Sequence, residues 1–382
     1  MRKAFLSKRN FLVLRFVAGV FLASRLWVAF FVYLGHWQRP FLEPIPGGWI
    51  GVPNWWLNPW TTYDSLHFMG IASHGYRAVT SNFFPLYPLF LKLAGNNEIV
   101  VAAWGILLSN AALALGLYYL YRLTRLDFRG RMARITVMAL AFFPATAFFS
   151  AVYTESLFLL LIVAAFYCVR VQRWGWVIIW AALAGLTRNS GPLIALMLLL
   201  EYYQAKRQGI KLPRLAWFAP LAPFMTFAAF QGFLAIQFGS LLPGVHAQKS
   251  FGRHLSWPWT PIYLDLINLF PNGNVYPSVP VNLAVAILVF VLVWRYRKKF
   301  PPSYLLFVMG INLMNLCYST ARWPHTVSSA RFEMSTFPFT QMLAAGVQSL
   351  WKRRLSRMLI MAIYLFICAI MCWLFGIKSF IG

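Results

Sequence analysis

Long apolar runs, separated by short basic or polar segments, recur along the whole chain. They lie at about 10–34, 98–121, 133–152, 154–171, 174–187, 190–204, 215–238, 279–294, 303–320, 333–350 and 358–377. An apolar run of about 18 or more residues is long enough to cross the hydrocarbon core of a bilayer as an α-helix. The pattern therefore predicts an all-α, polytopic transmembrane helical bundle of about 11 spans. We expect residues 1–382 to form a single domain.

The segment 174–204 is long enough for one helix, but its flanks favour two. Basic residues precede it at Arg170 and Arg173 and follow it over 206–214, so both flanks should be cytoplasmic. Two cytoplasmic flanks require an even number of crossings. The polar stretch 187–192, which ends in Gly-Pro, is a suitable break. The sequence therefore predicts two short helices that meet at a polar turn.

The charge of the chain is strongly basic, with 34 Lys and Arg against 8 Asp and Glu and a formal net charge of +26. In a soluble protein this charge would suggest a nucleic-acid partner. Here most basic residues fall in loops on one side of the predicted spans, which explains the charge without nucleic acid. The same rule places the N-terminus in the cytoplasm and the C-terminus outside. The membrane would be the inner membrane of a bacterium, or the endoplasmic reticulum membrane of a eukaryote.

Two long segments, 35–97 and 239–278, are predicted to be extracytoplasmic loops. Both are rich in Trp and Pro, which suits segments that lie at the membrane interface. The chain is 60% hydrophobic, which excludes an ordinary soluble protein.

The first loop contains the most informative stretch, centred on Asp64. Thr61 or Thr62 can cap a short helix there, with Asp64 in its first turn, His67 on the same face and Gly75 at its end. A carboxylate beside membrane-level sequence is costly and is often functional. Asp64 could act as a general base, or it could only complement the helix dipole. The residues alone leave both interpretations open.

Three further charged residues also have alternative interpretations. Glu155, beside Tyr153, could bind acceptor hydroxyls, hold Arg188 or simply begin a helix. Arg188 lies in an apolar segment and requires an anion, either Glu155 or a lipid phosphate. Arg331 could stabilise a phosphate leaving group, or it could snorkel to the interface.

Metal and cofactor sites are not predicted. The four cysteines, Cys168, Cys317, Cys368 and Cys372, lie in apolar segments and are expected to be core residues. The sequence has no Gly-rich phosphate loop and no Asp-x-Asp motif for a nucleotide-sugar donor with a divalent metal. We expect no metal and no cofactor.

Several motifs resemble one family of membrane enzymes. They are Asp64 with Ile71-Ala-Ser-His-Gly-Tyr76, Phe83-Phe-Pro-Leu-Tyr-Pro88, Phe143-Pro144 through Glu155-Ser156, Leu186-Thr-Arg-Asn-Ser-Gly191 and Arg331-Phe332 through Phe337-Pro338. In this order they resemble the PIG-V family, the transferases that add the second mannose in GPI-anchor assembly, and their prokaryotic relatives. Tyr63 stands where that family usually has Trp.

The resemblance implies an inverting glycosyltransferase of the class called GT-C. A hexose, mannose by analogy, would pass from a polyprenyl- or dolichyl-phosphate donor to a hydroxyl of a glycan or glycolipid acceptor, on the extracytoplasmic side of the membrane. Asp64 would be the catalytic base, and Arg188 or Arg331 would bind the lipid phosphate. Further substrate contacts are expected from His67, Tyr153 and Glu155. The partners would be the lipid donor, the acceptor and membrane lipids.

Two hypotheses from other classes remain open. A lipid or solute transporter would use the broken helix pair around Arg188 as part of its site. A non-catalytic membrane subunit of a larger transferase would share the composition and lack the chemistry.

Overall fold

The computed structural model describes residues 8–39, 51–240, 243–269, 277–320, 323–350 and 354–379. Helices dominate it, which confirms the predicted class. They are α1 Lys8–Gln38, α2 Asp64–His74, α3 Leu86–Lys92, α4 Glu98–Asp127, α5 Gly130–Ala141, α6 Glu155–Arg170, α7 Trp174–Gly185, α8 Gly191–Arg207, α9 Phe218–Phe238, α10 Pro243–Ser250, α11 Thr260–Ile267, α12 Ser278–Tyr296, α13 Pro302–Cys317, α14 Ser329–Met334, α15 Phe337–Leu350 and α16 Arg354–Gly376. Besides the helices, the described residues form a small antiparallel sheet, in which β1 (Arg253–Leu255) pairs with β2 (Tyr318–Thr320).

Five helical segments of the described chain are long and apolar enough to cross a membrane. They are Asn10–Gln38, Glu98–Asp127, Arg214–Phe238, Ser278–Tyr296 and Leu355–Gly376. Most of the other predicted spans are shorter helices, and Trp174–Gly185 and Pro302–Cys317 are apolar ones. The protein is therefore a helical membrane protein, while the count of about 11 crossings stays a prediction.

Helix α6 forms the centre of the bundle. Nearly all of its residues are buried, and it packs mainly on α4 and α7. A helix that is apolar on every side belongs inside a bundle, because it offers no polar face to water. Glu155 begins α6 and Arg170 ends it, so its 16 residues separate two charged clusters by about 24 Å at ~1.5 Å per residue.

The predicted span 133–152 is wrong. Helix α5 ends at Ala141, and the chain continues through turns and a short 3-10 helix at Thr146–Phe149. Pro144 cannot donate to the helical ladder, and its ring would clash with the preceding turn. The end of α5 leaves backbone carbonyl groups without a helical partner. Arg25 of α1 donates hydrogen bonds to two of them, the carbonyl oxygens of Ala141 (2.9 Å) and Thr146 (3.2 Å). This contact explains why α1 carries an arginine at that position.

The predicted span 333–350 is also interrupted, and helix α15 begins only at Phe337. Pro338 in its first turn favours a helix start there rather than continuation from α14. Thr336 between the two helices donates its hydroxyl to the Glu333 carboxylate at 2.8 Å.

The break within 174–204 is confirmed. Helix α7 ends at Gly185 and α8 begins at Gly191, with a polar turn between them. Arg170, just before α7, pairs with Glu201 near the end of α8 at 2.5 Å, so the two helices form a hairpin. Asp127, the last residue of α4, pairs with the same Arg170 at 2.6 Å. The ends of α4, α6 and α8 therefore lie together, as the positive-inside pattern requires.

Helices α1 and α16 pack at very close range. A Cβ atom added to Gly376 would lie 2.0 Å from the carbonyl oxygen of Val32, and one added to Gly35 would lie 2.2 Å from that of Trp373. Small residues at such crossings let two backbones approach inside a membrane.

Candidate active site

A cavity of about 620 Å³ opens at the end of the bundle where α6 begins. Its lining comes from α2, the loop before α3, the α7–α8 turn, β1, α13 and α14. The charged lining residues are Asp64, Arg188, Arg253 and Arg331. Much of the remaining wall is apolar, from Phe83, Phe84, Phe158, Phe227, Phe251, Ile311, Met314, Val327 and Phe332.

Asp64 is the first residue of α2, as predicted, and Gly75 ends that helix with a φ of 81°. The predicted cap is wrong, because neither Thr61 nor Thr62 caps the helix through its side chain. The residue before the helix is Tyr63, with a φ of 57°. The Thr61 hydroxyl instead donates within the preceding turn, to the carbonyl oxygens around Asn58. The uncommon backbone of Tyr63 is stabilised by a hydrogen bond from its hydroxyl to the carbonyl oxygen of Lys378.

A chain of ion pairs connects three predicted site residues to Asp64. Arg331 Nη1 lies 2.7 Å from Asp64 Oδ2, and Arg331 Nε lies 2.5 Å from Glu155 Oε1. Arg188 Nη1 lies 2.8 Å from that same Glu155 oxygen. Glu155 is therefore the shared counter-ion of two arginines, and one of these also holds the Asp64 carboxylate.

The residues linked by these ion pairs differ in how deeply they are buried. The Glu155 side chain is 0% exposed, whereas that of Asp64 is 30% exposed. Arg331 is 8% exposed as a residue and pairs with two carboxylates. The snorkelling interpretation of Arg331 is therefore wrong, since a snorkelling side chain keeps its charge in water. Asp64 is the most exposed of the four linked side chains, and it lines the cavity.

Tyr153 and Glu155 support the site from behind rather than lining it. The Tyr153 hydroxyl donates to the Thr62 carbonyl oxygen at 3.0 Å, and its ring lies 4.6 Å from the Arg331 guanidinium carbon. Both residues are fully buried. This corrects the expectation of direct substrate contact: these side chains position Arg331, Arg188 and the turn that leads into Asp64.

His67 lies one helical turn after Asp64 and faces the cavity. Its ring packs on Phe83 at 4.7 Å and meets the edge of Phe251 at 5.4 Å. Burial lowers the pKa of His67 below its ordinary range, and the charge of Asp64 opposes that shift. A neutral imidazole in this position can exchange hydrogen bonds with a sugar hydroxyl.

The first loop also contacts the helix break directly. The Leu86 amide, just after Pro85, donates to the Leu186 carbonyl oxygen at 3.0 Å. The Phe-Phe-Pro-Leu-Tyr-Pro segment thus docks on the turn that carries Arg188, and it contributes Phe83 and Phe84 to the cavity wall.

Arg253 is a cavity residue that the sequence did not single out. Its Nη1 donates to the Tyr318 carbonyl oxygen at 3.0 Å and to Asn315 Oδ1 at 3.5 Å. Burial lowers its pKa to about 10, a shift that Asp64 opposes and Arg331 reinforces. The only sequence signal was its place in an outer loop. Its partners lie about sixty residues away and meet it through the β1–β2 pairing.

Two other acidic residues have structural partners. Asp265 accepts hydrogen bonds from the amides of His325 (2.8 Å) and Thr326 (2.7 Å), so its carboxylate stabilises the loop that leads into α14. Glu333 is buried on α14.

No group of three or more His, Cys, Asp or Glu side chains within the described ranges could hold a metal ion. The expectation of a metal-independent and cofactor-free enzyme remains a prediction.

Two solved structures with a similar fold are an archaeal oligosaccharyltransferase and a bacterial ArnT. The oligosaccharyltransferase of Archaeoglobus fulgidus, tethered with an acceptor peptide, has a TM-score of 0.52 and 12% identity, covering 99% of this chain and 56% of its own. ArnT from Cupriavidus metallidurans, bound to undecaprenyl phosphate, has a TM-score of 0.50 and 11% identity, covering 98% of this chain and 77% of its own. At these identities the likeness shows a GT-C-like fold. The chain spans little more than half the length of the oligosaccharyltransferase.

Comparison with curated protein sequences gives no match. A family model described as mannosyltransferase (PIG-V) matches residues 52–258. This range contains Asp64, Glu155, Arg188 and Arg253, and it covers more than half of the sequence. The chain therefore belongs to the mannosyltransferase (PIG-V) family.

Proposed function

We propose that the protein transfers a hexose, mannose by family analogy, from a polyprenyl- or dolichyl-phosphate carrier to an acceptor hydroxyl with inversion at the anomeric carbon. One observation carries the proposal: Asp64 is the carboxylate among the described residues that lines the arginine-rich cavity. The family membership supports the sugar-transfer chemistry. The undecaprenyl phosphate bound to ArnT supports a lipid-phosphate donor.

The chemistry requires one base. As the acceptor oxygen bonds to the anomeric carbon, Asp64 accepts the hydroxyl proton, and the bond from that carbon to the phosphate oxygen breaks. The electron pair leaves with the lipid phosphate, which departs as an anion and requires no acid. Glycoside hydrolases differ in needing two carboxylates. Direct displacement inverts the anomeric centre and forms no covalent intermediate.

The ion pair with Arg331 prepares Asp64 for this role. Arg331 Nη1 lies 2.7 Å from Asp64 Oδ2, so Asp64 Oδ1 is left to accept the proton from the acceptor hydroxyl. Glu155 fixes Arg331 from the other side and so fixes the direction of the Asp64 carboxylate. A base held in place by a buried network is preorganised, and orientation of this kind lowers the barrier to reaction.

The cavity is proposed to face the extracytoplasmic side. The ends of α4, α6 and α8, each followed by a basic segment, meet at Arg170, at the opposite end of α6 from Glu155. If those segments are cytoplasmic, the cavity opens on the other side. The apolar wall formed by residues such as Phe227 and Met314 would hold the start of the prenyl chain.

Replacement of Asp64 by Asn tests the proposal. With undecaprenyl-phosphate [³H]mannose as donor and octyl mannoside as acceptor, we expect Asp64→Asn to lose about 10²-fold or more of the transfer rate. Asp64→Glu should also be poor, because one methylene displaces the carboxylate by about 1 Å. Glu98→Gln is the matched control, since Glu98 is an exposed acid in the first turn of α4.

The outcome separates the hypotheses. A fully active Asp64→Asn enzyme would remove Asp64 as the base. A lipid transporter, the alternative suggested by the broken pair α7–α8, would move the donor across vesicles without releasing mannose. A non-catalytic subunit would leave the donor intact in every variant.

A further inference from the structure

The charges of the cavity do not balance among the described residues. Arg188 and Arg331 are paired with Glu155 and Asp64, so these four side chains are neutral together. Arg253 is the third arginine on the cavity wall, and no carboxylate of the described ranges lies within 4.0 Å of it. The cavity therefore carries an excess positive charge located at Arg253.

Among the described residues, the Arg253 guanidinium donates hydrogen bonds through Nη1 only. Its Nη1 atom donates to the Tyr318 carbonyl and to Asn315, while β1 is fixed by its pairing with β2. In the part of the chain that the structure describes, Nε and Nη2 have no hydrogen-bond acceptor. A guanidinium with donors to spare can bind a phosphate through two parallel hydrogen bonds.

The location of Arg253 suits a ligand that reacts at Asp64. Phe251, two residues earlier, packs against His67, one helical turn after the base. Arg253 also lies 5.9 Å from the ring of Phe332, next to Arg331. An anion at Arg253 would thus lie in the same cavity as Asp64, on the β1 side. A partly buried cation without a counter-ion is unfavourable, so anion binding would also relieve a cost of folding.

We propose that Arg253 anchors the phosphate of the lipid-linked donor, while Arg188 and Arg331 remain paired with Glu155 and orient the base. The proposal rests on the proposed function and deepens it. It differs from the sequence expectation, which assigned the phosphate to Arg188 or Arg331. Those two arginines already have carboxylate partners at 2.8 Å or less. A phosphate would have to compete with these partners, and Arg253 offers no such competition.

Binding measurements on the purified protein in nanodiscs test the anchor without requiring turnover. The probes are undecaprenyl phosphate, undecaprenol, which lacks the phosphate, and inorganic phosphate as a competitor. Loss of one charge-assisted pair should weaken undecaprenyl phosphate binding about 10- to 100-fold in Arg253→Gln, with undecaprenol binding unchanged. Arg253→Lys should recover part of the loss.

Arg122→Gln provides the control, because Arg122 donates to Tyr118 and Tyr167 on α4 and α6, outside the cavity. Its binding should match the wild type. Unfolding temperatures show whether each variant is folded.

Undiminished undecaprenyl phosphate binding by folded Arg253→Gln protein would overturn the anchor. So would a wild-type protein that binds undecaprenol equally well. Inorganic phosphate that displaces the lipid at equal concentration would assign the site to free phosphate instead. Asp64→Asn separates this inference from the proposed function. If Asp64→Asn still transfers mannose while Arg253→Gln no longer binds undecaprenyl phosphate, Asp64 is not the base, but Arg253 still binds the lipid phosphate.

Discussion

Replacement of Arg331 should destabilise the protein strongly, because this arginine bridges two carboxylates in a buried site. Arg331→Gln keeps much of the side-chain length and removes the charge. Glu155, which is 0% exposed, would then keep only Arg188 as its cationic partner. Asp64 is 30% exposed, so water can solvate it after its ion pair is lost.

The expected loss of folding stability in Arg331→Gln follows from the difference in burial between Glu155 and Asp64. Removing one partner of a buried ion pair costs about 3–5 kcal/mol, because the remaining charge is left uncompensated. Glu155 retains one of its two arginines, so we expect the lower end of that range, about 3 kcal/mol. The Asp64 contact should add less than about 1 kcal/mol, since ion pairs near water contribute little.

A double-mutant cycle measures this coupling. Unfolding of the purified protein in detergent would be followed for Arg331→Gln, Glu155→Gln and the pair together. Arg188, Arg331, Glu155 and Asp64 are neutral together in the wild type. Each single variant leaves this group with one net charge, whereas the double variant leaves the opposite charges of Arg188 and Asp64. The double variant should therefore lose at least about 1 kcal/mol less than the sum of the two single losses. Arg15→Gln is the control, because Arg15 is exposed on α1.

Additive losses, each below about 1 kcal/mol, would refute the reasoning, since contacting buried charges cannot act independently. Such a result would return Arg331 to the role of an interfacial residue. Arg331→Lys is expected to restore only part of the stability, because a lysine cannot hold Glu155 and Asp64 with two separate nitrogens.

Two further experiments test the packing and the topology. Gly376→Ala should lower the unfolding temperature, at a cost of about 1–3 kcal/mol, because its new methyl would meet the Val32 carbonyl oxygen at 2.0 Å. Gly19→Ala has nothing within 4 Å and should be neutral or slightly stabilising; equal effects would contradict the close helix crossing. Asn189→Cys and Gln208→Cys, made after the native cysteines are replaced by Ser, should react with impermeant thiol reagents from opposite sides of the membrane. Labelling of both from one side would contradict the α7–α8 crossing.

Local chemistry made several features predictable. The break within 174–204 followed from a Gly-Pro pair between basic flanks, and the turn between α7 and α8 lies there. The position of Asp64 in a first helical turn was also predicted, although the Thr61 or Thr62 cap on which that prediction relied is not made. The role of Arg25 was not predictable, because its acceptors are backbone carbonyl groups more than a hundred residues away that are freed when α5 ends.

Apolar runs, the distribution of basic residues and turn residues are local features of a chain. They were therefore enough to predict a helical membrane bundle, the helix pair around Arg188 and an unusual carboxylate at Asp64. Which charged side chains pair with one another became visible only in the folded protein. Glu155 pairs with Arg331 across 176 residues, and Arg253 reaches the cavity through a strand that pairs with residues 318–320. A buried charge is set by its partners in space, and packing rather than local pattern chooses those partners.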